Sequence, residues 1–246
     1  MIPDNQFNKM VQVLQDINSQ PEQLKRMPNE QRTALMVALN SLENGTKELT
    51  SVINILERLG RGKIPKSSVL GKIQKTVLNR FDRVTSAELT QALKKTEQEV
   101  LLKQGKALLD AGSDDARAFA LLEKAKERGA HGAFAFLGQL FEEHRVPEAA
   151  LQKYLDQGVH RVQFWSNEAN RKRFKVDEHR ELARDLYGEG AAKGDPIAQR
   201  KLAESNLALF KLNQKPQFKA TAISWLKKSA KQGDVEAKLL LRNLGG

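Results

Sequence analysis

Apolar residues recur at helical spacing along most of the chain. In the N-terminal part, Phe7, Met10, Val11, Leu14 and Ile17 fall on one face of a predicted helix. No segment shows the sustained two-residue alternation with turn residues between runs that is typical of a sheet. The pattern therefore predicts an all-α protein.

Further helices are predicted before the middle of the chain. Asn29 is positioned to cap the segment EQRTALMVALNSLE, and Ser86 is positioned to cap a long helix that stops at Gly112. Since the pattern described next is missing from the first part of the chain, we expect residues 1–95 to form a separate helical region.

One spacing of apolar, small and Gly residues returns in the second part of the chain. The block WLKKSAKQGDVEA matches LYGEGAAKGDPIA after a shift of 39 residues, a third copy is LLEKAKERGAHGA, and a degraded fourth copy is LQKYLDQGVHRV. Self-similarity at this period is typical of stacked helical hairpins. The residues that carry the repeat are Ala118, Gly129, Ala133, Leu137, Gly158, Ala183, Gly194, Ala198, Leu202, Ala222, Trp225, Gly233, Ala237 and Leu241.

Each residue type in the repeat has a physical reason for its place. Gly supplies the positive φ that closes a helix at low cost, and Ala at a crossing point lets two helices approach closely. We expect Trp225 to fill the space between the last two hairpins.

This pattern resembles the Sel-one-like repeat, a relative of the tetratricopeptide repeat, over about residues 97–246. In that family a helix commonly ends in Trp/Tyr-x-x-x-Ala-Ala-x-x-Gly followed by a further Ala, as in SWLKKSAKQGDVEA. The resemblance implies a right-handed α-solenoid of helical hairpins over residues 96–246. It also implies a scaffold role in assembly or signalling, often in bacteria.

The formal charge of +11 is concentrated in two segments. Residues 58–83 hold eight Lys or Arg against one Asp, and residues 197–246 hold ten against three acids. Two interpretations are open: basic surfaces that bind a polyanion, and Lys or Arg on ordinary solvated helix faces. The nucleic-acid candidates are Arg61, Lys63, Lys66, Lys72, Lys75, Arg80 and Arg83.

The residue types that carry catalysis do not form any recognisable motif. The chain has no Cys, its four His residues include no i, i+4 pair, and neither a phosphate-binding loop nor a Gly-x-Ser-x-Gly elbow occurs. Asp114 is better interpreted as a helix N-cap than as an acid or base. The sequence therefore predicts a protein that is not an enzyme and holds no metal or cofactor.

A second candidate contact lies in VHRVQFWSNEANRKRFK, where the repeat is least regular. Phe164 and Trp165 precede Arg171 and Arg173, and an apolar pair beside basic residues suits an exposed protein-binding site. The alternative is that the two aromatic residues pack in the core.

These observations favour a non-enzymatic adaptor that holds a peptide or helix of another protein in the solenoid groove. A nucleic-acid-associated protein and an inhibitor of one enzyme are the alternatives. The start of the chain has no basic segment followed by an apolar run, and no stretch of 18 apolar residues occurs. We therefore expect a cytoplasmic protein without a membrane partner, and the oligomeric state stays open.

Overall fold

A computed structural model describes residues 4–43, 84–156 and 177–245. These residues form helices and no strand, which confirms the all-α class for the described ranges, and none of these helices combines the length and apolarity needed to cross a membrane. In chain order the helices are α1 (Asp4–Asn18), α2 (Pro21–Arg26), α3 (Asn29–Glu43), α4 (Ser86–Ala111), α5 (Asp115–Glu127), α6 (Ala133–Glu142), α7 (Glu148–Asp156), α8 (Glu178–Ala192), α9 (Pro196–Asn213), α10 (Pro216–Lys231) and α11 (Val235–Asn243).

The contacts divide the chain into two compact units. Unit 1 is Met1–Gln104 and unit 2 is Gly105–Gly246. The division falls inside α4, whereas the sequence pattern placed the boundary at residue 95, near the start of the same helix. The first part of α4 therefore belongs to unit 1 and its last turns belong to unit 2.

Unit 1 buries the apolar face of α1. Phe7, Met10 and Leu14 are almost completely inaccessible, as their spacing predicts. The carboxylate of Glu97 in α4 is also buried, and it accepts hydrogen bonds from Gln15 Nε2 at 3.1 Å and Asn18 Nδ2 at 3.3 Å. A buried carboxylate requires hydrogen-bond partners, and these two bonds supply them. They therefore link α1 to α4 in addition to the apolar packing.

The helix predicted after Asn29 is present, but Asn29 has another role than capping. Its Oδ1 accepts a hydrogen bond from the backbone N–H of Val84 at 3.1 Å. Arg32 Nε donates to the Val84 carbonyl at 2.7 Å. The predicted cap is wrong, because the helix already includes Asn29, and its first i, i−4 hydrogen bond runs from the Arg32 N–H to the Pro28 carbonyl at 3.1 Å.

The cap of α4 lies one residue before the predicted Ser86. Thr85 Oγ1 accepts from the Glu88 N–H at 3.2 Å, and the Glu88 carboxylate accepts from the Thr85 N–H at 2.8 Å. These reciprocal bonds form a capping box. The bonds that the Thr85 N–H and hydroxyl donate to the Glu88 carboxylate lower the pKa of Glu88. At the other end, Gly112 takes a φ of 59° and stops α4 where the sequence predicts.

In unit 2, helices that follow one another mostly pack together. α5 packs on α6, α8 on α9, α9 on α10, and α10 on α11. The exception is α6, which packs on α8 and also touches α9. Residues 143–177 therefore separate two helices that form one hairpin, and α7 lies within this stretch.

Two glycines allow the hairpin of α6 and α8 to close. A Cβ at Gly138 would lie 2.4 Å from Cε1 of the Tyr187 ring, and a Cβ at Gly190 would lie 2.8 Å from the Cβ atoms of both Ala198 and Phe134. These distances are shorter than van der Waals contact. Any side chain at either position would therefore force the helices apart.

Candidate protein-binding region

Three helices of unit 2 end in the same turn. A Gly with positive φ follows α5, α8 and α10, and the next N–H donates to the carbonyl five positions before it. This Schellman arrangement satisfies the last carbonyls and leads into the next helix. The glycines are Gly129 (φ 92°), Gly194 (91°) and Gly233 (100°), and the bonds are Ala130 N to Ala125 O (2.9 Å), Asp195 N to Gly190 O (3.0 Å) and Asp234 N to Ser229 O (3.3 Å).

α6 also ends in this turn, although nothing in the sequence indicates it. His144 takes the Gly position with a φ of 55°, and the Arg145 N–H donates to the Leu140 carbonyl at 2.9 Å. His is enriched in the left-handed region among residues that carry a Cβ. Because no Gly is present in EEHRV, spacing alone gives no signal for this turn.

Small residues at fixed distances from the turn glycines are buried. The Ala eleven positions before each Gly and the Ala four positions after it are at most 2% exposed. Eight positions after each Gly the repeat has a Leu, of which Leu137 is buried and Leu202 and Leu241 are half-buried. The buried alanines are Ala118, Ala183 and Ala222 before the glycines, and Ala133, Ala198 and Ala237 after them.

Trp225 is half-buried on α10 and packs against two clusters. One cluster contains Ala203, Leu226 and their neighbours in α9, α10 and α11, and the other contains Ala198 with residues of α6 and α8. The Lys228 ammonium lies 4.0 Å from the centre of the indole ring. Trp225 therefore contacts more than one hairpin, with one side of its ring covered by a cation.

A buried carboxylate joins α5 to α7. The Tyr154 hydroxyl donates to Glu123, and the Lys126 ammonium lies 2.6 Å from the same carboxylate. The Tyr154 ring also packs against Phe141 of α6. Burial and the bond to Glu123 raise the pKa of Tyr154, so the phenol stays protonated and acts as a donor rather than a base.

A similar pair joins α6 to α8. The Tyr187 hydroxyl donates to Glu142 at 2.8 Å, and Lys201 of α9 lies 3.6 Å from this carboxylate. Burial, followed by the nearby charge of Glu142, raises the pKa of Tyr187. This phenol is therefore also a neutral donor within the packing of three helices.

Arg145 connects the ends of three helices of unit 2. Its guanidinium pairs with Asp115 at 2.6 Å, with Glu143 at 2.7 Å, and donates to the Leu109 carbonyl at 3.0 Å. The hydrogen bond from Arg145 lowers the pKa of Asp115 and the carboxylates raise that of Arg145. Beside it, Asp114 accepts from the Arg117 N–H at 2.9 Å, which confirms the predicted N-cap.

Arg200 links α9 to the start of α11 through ion pairs in a comparable way. This largely buried side chain pairs with Asp234 at 3.1 Å, Glu204 at 2.9 Å and Glu236 at 2.8 Å. Burial opposes the charge of Asp234, but bonds from the Ala237 N–H and Arg200 outweigh it and lower the pKa of this carboxyl.

Asp195 occupies the same N-cap position as Asp234, one repeat earlier. Its carboxylate accepts from the Ala198 N–H at 2.5 Å. The dominant effect at this position is burial, which raises the pKa of Asp195. The two caps therefore differ chiefly in having, or not having, a guanidinium beside the carboxylate.

We expect Asp234→Asn to lower the free energy of unfolding by about 1–2 kcal/mol at neutral pH, because a hydrogen bond between two charges is lost. Asp195→Asn is the matched control, since Asn caps as well as Asp and relieves a buried charge; its expected effect is within about 0.5 kcal/mol. Urea unfolding followed by circular dichroism measures both. An equal loss at the two positions would contradict the role of Arg200.

Two histidine rings lie against each other where α6 ends and α8 begins, with their planes inclined at 37°. The rings of His144 and His179 lie 4.3 Å apart, and His144 Nε2 lies 3.2 Å from the Asp177 carboxylate, which also caps α8. Across the described parts of the chain, no group of three His, Cys, Asp or Glu side chains is arranged to hold a metal. The ring contact and the contact between His144 and Asp177 link the end of α6 to the start of α8.

The other predicted contact residues lie outside the described residues. This holds for the nucleic-acid candidates Arg61, Lys63, Lys66, Lys72, Lys75, Arg80 and Arg83, for the protein-binding candidates Phe164, Trp165, Arg171 and Arg173, and for the repeat residue Gly158. These assignments stay predictions.

The polar joins were missed by sequence reasoning. Tyr154 with Glu123, Tyr187 with Glu142, and Arg145 with Asp115 are each separated by 30 or more positions. No local motif indicates such pairs, since the two partners meet only when the helices pack.

Comparison with models of known families and with curated proteins finds no match to this chain.

Proposed function

We propose that this protein is a non-enzymatic adaptor that binds a partner protein through the helices of unit 2. The observation that carries the proposal is the Schellman turn that recurs after α5, α6, α8 and α10, with a residue of positive φ at each helix end. Repeated helical units build extended surfaces that hold a peptide or a helix without a catalytic pocket.

The pairing of the helices supports a solenoid of Sel-one-like hairpins as the architecture behind this function. α6 pairs with α8, α9 pairs with α10, and α6 also touches α9, so helices in equivalent positions are neighbours. The alanines before and after the turn glycines are buried, as expected of small residues where helices approach closely. We infer a right-handed stack in which residues 143–177 are an insertion between the helices of one repeat.

The state of the ionisable side chains favours binding over catalysis. Tyr154 and Tyr187 are neutral donors to carboxylates, and Arg145 and Arg200 are each held by two or more acids. Each of these groups joins helices. A general acid or base needs a pKa near the working pH and access to a substrate, and the raised pKa values of the two tyrosines do not meet the first condition.

The adaptor role is tested by capture with the full chain from a lysate treated with nuclease, at about 0.15 M salt. Proteins that are retained are identified by mass spectrometry, and the pair is then reconstituted from purified components. We expect a binary protein complex, with slowed amide exchange on helices of unit 2. A complex that protects only unit 1 would contradict this assignment.

The nucleic-acid alternative predicts a different result in the same experiment. Binding through Lys and Arg to phosphates weakens steeply as salt rises and disappears after nuclease treatment. Retention of nucleic acid alone would therefore favour the alternative. A protein complex that survives both treatments favours the adaptor.

A further inference from the structure

The last helix, α11, carries apolar residues on two opposite faces. Its inner face centres on buried Ala237 and packs against the cluster of α9 and α10. Its outer face presents Val235 and Leu239, which are 74% and 56% exposed. Their i, i+4 spacing places them on one ridge. A helix that is apolar on both sides is normally covered on both sides, so the outer face of α11 has the character of an interface.

At the position of Arg242, the two equivalent helices are covered. Counted from the turn glycines, Arg242 of α11 corresponds to Gly138 of α6 and to Ala203 of α9. Gly138 lies under the ring of Tyr187 from α8. Ala203 packs in a cluster with Leu226 from α10. In both cases the covering element is the second helix of the hairpin, so the equivalent occupant of α11 is a helix.

The charge around this face selects the kind of helix. Lys238 lies beside the ridge, and Arg242 follows Leu239 along it. Both are exposed and form no ion pair within the described part of the chain. The nearby acids, Asp234 and Glu236, both pair with Arg200. A second copy of this face would bring its cations against those of the first, whereas an acidic helix would neutralise them.

From these observations we infer that the outer face of α11 docks an acidic amphipathic helix of a partner protein. Its apolar side lies on Val235 and Leu239, and its carboxylates pair with Lys238 and Arg242. This helix completes a hairpin on α11 as α8 does on α6 and α10 does on α9. The inference rests on the proposed adaptor function and names the place and chemistry of one partner contact.

The probe is a labelled peptide with the 16-residue sequence of α10, Pro216–Lys231, in which Lys219, Lys227, Lys228 and Lys231 are replaced by Glu. The unaltered α10 peptide is its basic counterpart. Fluorescence anisotropy against the full chain measures binding of each. We expect the acidic peptide to bind at least about ten-fold more tightly than the basic one, and Lys238→Glu with Arg242→Glu to remove this preference.

Matched variants locate the contact. Leu239→Ser should weaken binding of the acidic peptide about ten-fold, whereas Leu212→Ser, at a leucine that is 82% exposed on α9, should leave it unchanged. Both side chains are exposed, so thermal melting should stay close to that of the original chain. Equal binding by the two variants, no binding by the acidic peptide, or self-association that Leu239→Ser abolishes would overturn the inference.

Capture of the natural partner distinguishes a failure of this inference from a failure of the proposed function. Capture of that partner by the original chain but not by Leu239→Ser supports both. Unchanged capture by Leu239→Ser overturns the α11 site and leaves the adaptor role standing, while failure of the original chain to hold any protein counts against the adaptor role itself.

Discussion

Tyr187→Ala is expected to lower the free energy of unfolding by about 3–5 kcal/mol, the range for removing a buried aromatic side chain. Tyr187 is 1% exposed, and its ring lies against Gly138 in the hairpin of α6 and α8. The substitution leaves a cavity between these helices that the rigid backbone at Gly138 cannot fill. Urea unfolding followed by circular dichroism measures the loss.

Tyr187→Phe separates packing from hydrogen bonding. It keeps the ring and removes only the bond to Glu142, whose carboxylate is partly exposed and also lies near Lys201. The expected loss is therefore about 0.5–1.5 kcal/mol. A loss for Tyr187→Phe as large as that for Tyr187→Ala would mean that the polar pair, and not the packing, holds the hairpin.

Gly138→Ala gives an independent check on the same contact. Alone it should be destabilising, because its Cβ would lie 2.4 Å from the Tyr187 ring. In the Tyr187→Ala background the clash is absent, and the added methyl fills part of the cavity. The two effects should therefore be far from additive, and additive losses would contradict the contact.

Gly190→Ala and Gly188→Ala, in the same helix, are expected to change stability in opposite directions. A Cβ at Gly190 would lie 2.8 Å from the Cβ atoms of Ala198 and Phe134, whereas a Cβ at Gly188 would meet nothing within 4 Å. Gly190→Ala should cost about 1–3 kcal/mol through overpacking. Gly188→Ala should gain about 0.5–1 kcal/mol, since Ala loses less backbone entropy than Gly in a helix.

Chemical unfolding of the two variants under identical conditions measures this difference. Because both substitutions have the same intrinsic effect on helix propensity, the difference reports the contact at Gly190 alone. Two stabilised variants would show that α8 and α9 lie further apart than described.

Local features of the repeat could be predicted from the sequence because each depends on one residue type at one backbone position. Gly194 and Gly233 end their helices with positive φ, and Gly alone adopts that conformation without strain. Ala183 and Ala222 are buried because helical periodicity places them on the inner stripe. In contrast, the caps at Asn29 and Ser86 were misassigned, since Ser, Thr and Asn all suit that role and neighbouring structure decides which one is used.

The sequence by itself determined the helical class, the apolar face of α1, and the register of the turns at Gly129, Gly194 and Gly233, because these follow from interactions within a few residues. Only the tertiary structure decided that α6 pairs with α8 across residues 143–177, and that His144 takes a position that Gly fills elsewhere. It also decided which carboxylate each buried tyrosine meets. The helix pairing and the partners of the tyrosines depend on side chains 30 or more positions apart, whose distance is set when whole helices pack and is not encoded in any local pattern.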